Sequence, residues 1–182
     1  GARSGGSTMF LEPGSRVPLE SLLRGIIVQS GNDASIVVAE GLAGSEASFA
    51  DEMTRRARDL GLTDTTFRNA TGWPHAEHRT TARDLAVLAR RTIERFPELY
   101  RYYSEKSFTY NGIRQGNRNP LLYKDIGADG LKTGHTAESG YGLTATAVRN
   151  GRRLVLVVSG LPSNKSRARE SARLMEWGFR EF

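Results

Sequence analysis

From Pro18 onward, apolar residues recur at helical spacing through Leu19, Leu22, Leu23, Ile26 and Ile27, with Pro18 where a first helical turn tolerates it. This pattern predicts a helix ending near Gln29. A second helix is expected from Asp33 to about Leu42, with Asn32 or Asp33 available as a cap and Ile36, Val37, Ala39 and Ala43 as a buried stripe. A third should run from Ser45 to Leu60 and stop at Gly61, and a fourth from Thr81 to Phe96, where Pro97 ends it. Residues 18–104 therefore read as mainly helical. The leading segment, 1–17, reads as extended, with a turn at Pro13-Gly14 after the short apolar run Met9-Phe10-Leu11.

Beyond Glu105 the period changes from helical to alternating. Ser107-Phe108-Thr109-Tyr110 reads as a strand and Asn111-Gly112 as a hairpin turn into a second short strand. Gly140–Arg149 and Arg152–Gly160 are rich in Thr, Val, Leu and Tyr and are joined by Asn150-Gly151, a dipeptide suited to a two-residue type I′ turn. They should be antiparallel neighbours. From about Ser163 to Phe182 an amphipathic helix places Ala168, Ala172, Met175 and Phe179 inward. The whole is an α+β arrangement: a helical region, then residues 105–182 as an antiparallel sheet with a covering helix.

Composition narrows the functional classes. The 182 residues carry 26 Lys and Arg against 20 Asp and Glu, a formal charge of +6. The arginines are scattered over predicted helix faces, as at Arg55, Arg56, Arg58, Arg90, Arg91 and Arg95, and no nucleic-acid-binding pattern accompanies them, so nucleic acid is not expected as a partner. There is no cysteine, which excludes disulfides, thiol catalysis and cysteine-based metal sites. His75 and His78 lie three apart in a polar loop without acidic or cysteine partners at ligand spacing, so they read as surface residues, and no metal or cofactor is expected. No apolar run is long enough to span a membrane and no signal-peptide pattern opens the chain.

Two short motifs carry chemistry. Lys132-Thr133-Gly134, just before the long hairpin, offers a fixed cation, a hydroxyl beside it, and a residue without a side chain against which a peptide could lie along a strand edge. Alone it could be a chance strand start. Ser30-Gly31-Asn32 is equally what a helix-to-helix turn and an N-cap prefer. The two together, in this order and separated by helical sequence, match two of the three elements shared by β-lactamases and penicillin-binding proteins.

At this point the chain closely resembles the low-molecular-mass penicillin-binding proteins that act as serine-type D-alanyl-D-alanine carboxypeptidases. The resemblance extends to Met9-Phe10-Leu11-Glu12-Pro13-Gly14, Arg24-Gly25-Ile26, Gln29 through Ala34, Asn111-Gly112-Ile113-Arg114-Gln115 and Asp129 through Thr136, and covers essentially the whole chain. It implies the β-lactamase/penicillin-binding-protein-like transpeptidase fold. It also implies a reaction in which a serine attacks the carbonyl between two D-alanines of a peptidoglycan stem peptide and an acyl-enzyme is then hydrolysed, with β-lactams as inhibitors. Ser30 would relay a proton toward the leaving amine, Asn32 would hold a substrate amide, and Lys132 would bias the electrostatics. Thr133, Gly134 and Thr136 would line the peptide-binding strand, and the backbone N–H of His135 would donate to the oxyanion. Arg118 and Arg167 match positions flanking the pocket for the substrate carboxylate, although in so arginine-rich a chain either could equally be structural.

The third element is missing. The four lysines, Lys106, Lys124, Lys132 and Lys165, follow Tyr103, Leu121, Asp129 and Pro162 by three residues, so no S-x-x-K occurs in this sequence. The resemblance therefore implies a fragment lacking the N-terminal segment that bears the nucleophile, with an N-terminal piece of the same protein as a possible partner, and inactive by itself. The parent is expected outside the cytoplasm and associated with the membrane. Rival readings are a non-catalytic peptidoglycan- or β-lactam-binding module, or a β-lactamase or D,D-endopeptidase of the same fold.

Overall fold

The structure, a computed structural model, describes residues 6–182; Gly1 to Gly5 of the expected leading segment lie outside the described residues. Four helices come first: α1 (Leu19–Gln29), α2 (Asn32–Ala43), α3 (Glu46–Asp59) and α4 (Ala82–Arg95). Ser45 and Thr81 cap α3 and α4, their hydroxyls accepting the N–H groups of Ser48 and Asp84. After a 3₁₀ turn at Leu99–Ser104 come the hairpin β1 (Ser107–Tyr110) and β2 (Ile113–Gly116), then a second 3₁₀ turn at Pro120–Tyr123. The strands β3 (Ala128–Thr136), β4 (Gly140–Arg149) and β5 (Arg152–Leu161) form an antiparallel sheet in that order, and α5 (Asn164–Glu181) closes the chain.

Both Asn-Gly turns have the expected geometry, with positive φ at Asn111 and Gly112 and again at Asn150 and Gly151. Around β4 the register pairs Lys132 with Thr144, Gly134 with Gly142 and Thr144 with Val157. Leu143, Ala145 and Ala147 therefore share one face of β4, where they pack with Leu121, Met175 and Phe179 as the sheet-side core under α5. A second core joins Met9, Leu22, Val28, Ala34 and Phe108 in the helical half. Gly25 is required there: a Cβ on it would lie 2.3 Å from the Met9 sulfur.

Lys132-Thr133-Gly134 lies within β3, a nine-residue edge strand directly before the β4–β5 hairpin. Other expectations need correction. Of the expected stripe on α2, Ala39 is buried, Ile36 and Ala43 are half-buried and Val37 is 43% exposed, since successive helical residues point 100° apart and the core takes Ala34 beside Ala39. Leu19, the first helical residue, is likewise exposed. Neither Asn32 nor Asp33 caps α2, whose N-cap is Gly31 with no side-chain bond.

Asp33 has another task. Its carboxylate accepts hydrogen bonds from the Thr8 hydroxyl at 2.8 Å, from the Met9 N–H at 2.8 Å and from the Leu11 N–H at 3.0 Å, fixing the leading segment onto α2. Burial opposes its ionisation, but the N–H groups of Leu11 and Met9, with Thr8 and Ala34, outweigh that and hold its pKa below the ordinary 3.8. A depressed carboxylate pKa contributes stability that is complete above the unfolded value and lost as pH falls through the folded one. Asp33→Ala should therefore cost about 2–3 kcal/mol in urea unfolding at pH 7, and the gap from the parent chain should narrow below about pH 4.

Candidate active site

The site is built from three walls. The first is the junction of α1 and α2. Gln29, almost wholly buried, donates through its side-chain amide to the Phe108 carbonyl at 3.0 Å, and so ties the end of α1 to β1. The next residue, Ser30, adopts the left-handed conformation at φ 57°, and the Gly31 N–H closes on the Gly25 carbonyl at 3.0 Å. A non-glycine residue pays about 1–2 kcal/mol there, which marks Ser30 as a position held for a purpose.

The second wall is β3. Lys132 extends from it so that its ammonium donates to the Ser30 hydroxyl at 2.9 Å and to the Thr133 carbonyl at 2.9 Å. The two motifs thus meet across 102 residues of chain. Burial first, then the charges of Arg118 and Arg167, lower the Lys132 pKa to about 8. Behind the strand, Asp129 accepts two hydrogen bonds at 2.8 Å from Arg153 of β5 and one at 3.0 Å from the Tyr100 hydroxyl. Burial first, then Asp129, push the Tyr100 phenol up.

The third wall is arginine-bearing. Buried Asn117 and Asn119 clamp the chain on either side of Arg118: the Asn119 N–H donates to the Asn117 side chain, and the Asn119 side chain accepts from Leu121. Arg118 itself is exposed and hydrogen-bonds the Ser7 hydroxyl. Arg167, near the start of α5, is 5% exposed and donates at 3.3 Å to the carbonyls of Gly134 and Gly142, and at 2.7 Å to Asn164. Its guanidinium lies 5.4 Å from the centroid of the Tyr141 ring, and His135 stacks on the same tyrosine at 3.8 Å. Thr136 exchanges a hydrogen bond with Ser139 at the β3–β4 turn.

Between these walls is a cleft of about 770 Å³ lined by Ser30, Asn32, Lys132 through Thr136, Arg118 and Arg167. Every residue expected to be catalytic or substrate-binding therefore borders one space. No Asp or Glu lines that space among the described residues, so it is strongly electropositive and suited to a ligand carboxylate. His75 is exposed, whereas His78 is half-buried, its Nδ1 accepting the Arg68 N–H at 3.2 Å, so its part is to hold a loop. Among the described residues no cluster of side chains could hold a metal ion. Sequence reasoning missed Tyr141, which lies in a strand without a motif, and the loop at residues 70–73 that also borders the cleft; it also missed Arg153, which does not line the cleft but grips Asp129 behind β3.

This fold and site define a class. Penicillin binding protein 5 from Haemophilus influenzae superposes with a TM-score of 0.93 at 42% identity, over 97% of this chain and 52% of that one. Penicillin-binding protein D2 from Listeria monocytogenes, in its ampicillin-bound form, does so at 0.87 and 31% identity, over 97% and 74%. The architecture is that of the penicillin-binding D,D-peptidases. A family model described as D-alanyl-D-alanine carboxypeptidase, peptidase family S11, matches residues 1–163, and the chain belongs to that family. The carboxypeptidase DacC of Escherichia coli is 46% identical over 182 residues, all of this chain and 46% of that protein. DacD of the same organism is 47% identical over 179 residues, 98% of this chain and 46% of that protein. The chain thus spans about half the length of the curated relatives it matches.

The Lys132 shift has a signed consequence. A base whose folded pKa is depressed binds fewer protons than it does unfolded, so its burial costs stability in full below pH 8 and the cost fades as pH rises from about 8 to the ordinary 10.5. Urea unfolding of the parent chain and Lys132→Met should accordingly show a constant difference below pH 8, which shifts in favour of the parent chain between pH 8 and 10.5. A difference that stays flat across that window would mean that Lys132 titrates normally.

Proposed function

We propose that this cleft is the substrate wall of a D-alanyl-D-alanine carboxypeptidase site. In the whole protein it serves hydrolysis of the terminal D-Ala-D-Ala bond of peptidoglycan stem peptides through an acyl-serine, and penicillins acylate the same serine. The observation that carries this reading is the Lys132 to Ser30 hydrogen bond at 2.9 Å in a cleft with two further cations and, among the described residues, no acid.

The division of labour follows from chemistry. A substrate carboxylate enters the field of Lys132, Arg118 and Arg167, and a charge-assisted bond to Arg118 is open to it by displacing the Ser7 hydroxyl. Arg167 already holds two main-chain carbonyls of β3 and β4, so it contributes charge and shapes the strand at Gly134 more than it grips a ligand. Ser30, hydrogen-bonded to a lysine whose pKa lies near neutrality, is placed to pass a proton toward the amine that leaves. Asn32 lines the same cleft and is placed to orient a substrate amide. The exposed side of β3 at Thr133, Gly134, His135 and Thr136 receives the peptide as an added strand, and the His135 N–H supports the oxyanion.

The attacking serine is not supplied by an S-x-x-K in these residues, so this chain alone is inactive. A cell-wall substrate is met outside the cytoplasm, and there the working protein would act; no helix among the described residues is long and apolar enough to cross a membrane.

The test is to incubate the chain with a fluorescent penicillin, take an intact mass, and measure non-covalent binding of N-acetyl-D-Ala-D-Ala by calorimetry. The expected result is an unlabelled chain that binds the dipeptide, with affinity reduced at least tenfold in Lys132→Met. A chain that gains the mass of one penicillin would place the nucleophile inside it, with Ser30 the first serine to replace. Absence of dipeptide binding would remove the reading of the cleft.

A further inference from the structure

The outer face of α5 carries a row of side chains that the proposed chemistry does not use. Lys165, Arg169, Arg173 and Trp177 are exposed and recur every fourth residue, and exposed Arg180 follows. Two positions after each of the first four stands a buried residue: Arg167, Ser171, Met175 and Phe179. Two helical residues turn the side chain through about 200°, so the row points away from the sheet while its counterparts face the core. The row begins at the mouth of the cleft, where Asn164 and Arg167 of the first turn line that space and Arg167 reaches the Gly134 carbonyl of β3 at 3.3 Å. It ends roughly 24 Å further along the helix, beside a surface depression of about 460 Å³ whose lining includes Arg149, Arg152 and Arg180.

The acids of α5 leave this row positive. Glu170 is shared by Arg169 and Arg173 at 2.9 Å each, one negative charge against two whose side chains stay 68% and 65% exposed. Glu176 is held by Arg149 of β4, and Glu181 lies in the last turn. Lys165 and Arg180 make no side-chain hydrogen bond or ion pair among the described residues. Like charges four apart on a helix repel, and Glu170 offsets only part of that, so a face needing nothing but solvation gains more from mixed signs. Trp177, 44% exposed and in edge-to-face contact with Phe182 at 5.4 Å, adds flat apolar surface to the cations.

We infer that the outer face of α5 is a track for the polymer that carries the substrate, a peptidoglycan strand whose neighbouring stem peptides present further carboxylates. One stem enters the cleft, carboxylates of adjacent stems meet Lys165, Arg169 and Arg173, and a sugar ring lies on Trp177. The identity of the polymer rests on the carboxypeptidase reading of the cleft: a stem that ends in a carboxylate becomes part of a polyanion once many stems hang from one strand. A linear row of cations that starts at the cleft matches a linear anion that must deliver its branches there. The track holds the strand and raises the local concentration of stems, and takes no part in proton movement.

The test compares binding of soluble, un-crosslinked peptidoglycan strands with that of N-acetyl-D-Ala-D-Ala, counted per stem peptide. Strands should bind about tenfold tighter, and the advantage should fade as salt is raised well above the physiological range. The triple variant Lys165→Gln, Arg169→Gln, Arg173→Gln should lose the advantage with its circular dichroism unchanged and its dipeptide affinity within about twofold of the parent chain, because the replaced charges are screened from the cleft. Arg169→Lys with Arg173→Lys should keep it. Equal binding of strands and dipeptide, or an advantage that survives the triple variant, overturns the track while the cleft reading stands. Strand binding that the triple variant abolishes supports the track even if the dipeptide does not bind, a result that sinks the cleft reading alone. Vesicles of phosphatidylglycerol and phosphatidylethanolamine are the control: if they displace the strands from this face, it takes a bilayer and the inference falls.

Discussion

The constraint around which the rest is arranged is a lysine ammonium packed beside two guanidinium groups, in a cleft that no carboxylate lines among the described residues. Taking a cation out of water is costly, and placing it near like charges costs more. The fold meets that cost with hydrogen bonds rather than counter-charge. Lys132 gives two of its three donors to the Ser30 hydroxyl and the Thr133 carbonyl, and Arg167 gives its terminal nitrogens to two strand carbonyls and Asn164 while its buried Nε has no partner. Polar but uncharged partners hold both cations and leave the net positive field for a ligand to neutralise.

Counter-charge is present, but it is placed behind the strand. Asp129, three residues before Lys132, is gripped by Arg153 from β5, which reaches across β4 and also donates to Thr146 at 2.7 Å. The pair fixes β3 laterally against the sheet while presenting no anion to the cleft. A carboxylate on the cleft side would quench Lys132 and raise its pKa. On the opposite wall, the left-handed Ser30 is held between the buried Gln29 and the closed turn at Gly31, so the hydroxyl and the ammonium approach from two rigid elements.

Much of this was legible in the chain. Helix limits followed from Ser45, Thr81 and Pro97, and the long hairpin followed from Asn150-Gly151, because caps and turns depend on local chemistry that a short window contains. The pair Ser30-Gly31-Asn32 and Lys132-Thr133-Gly134 could be read as one site because the two motifs are short, ordered and distinctive. What escaped was long-range. Asp33 looked like a cap by its local position, yet its partners Thr8, Met9 and Leu11 lie more than twenty residues away. Tyr141 reaches the cleft, and Arg153 reaches Asp129 behind it, through strand register, which no local pattern reveals. Val37 looked buried because two adjacent apolar residues were assigned to one helical face that can hold only one of them.

The leading segment gives the arrangement its last support. Helical and sheet halves have separate cores, α4 packs against β4 and β5, and polar ties that cross between the halves add to that packing in setting the width of the cleft. Lys132 to Ser30 is one tie, and Arg24 to Glu105 at 2.9 Å links α1 to the chain just before β1. Others run through residues 7–11: Ser7 meets Arg118, the Thr8 carbonyl accepts from Gln115 at 2.9 Å, and the Ser7 carbonyl accepts the Asn32 N–H at 2.9 Å. All of these presuppose that the segment lies where the Asp33 carboxylate holds it. Asp33, which does not line the cleft, thereby governs the rim at Ser7 and the setting of Arg118, and the electropositive wall depends on an acid placed outside it.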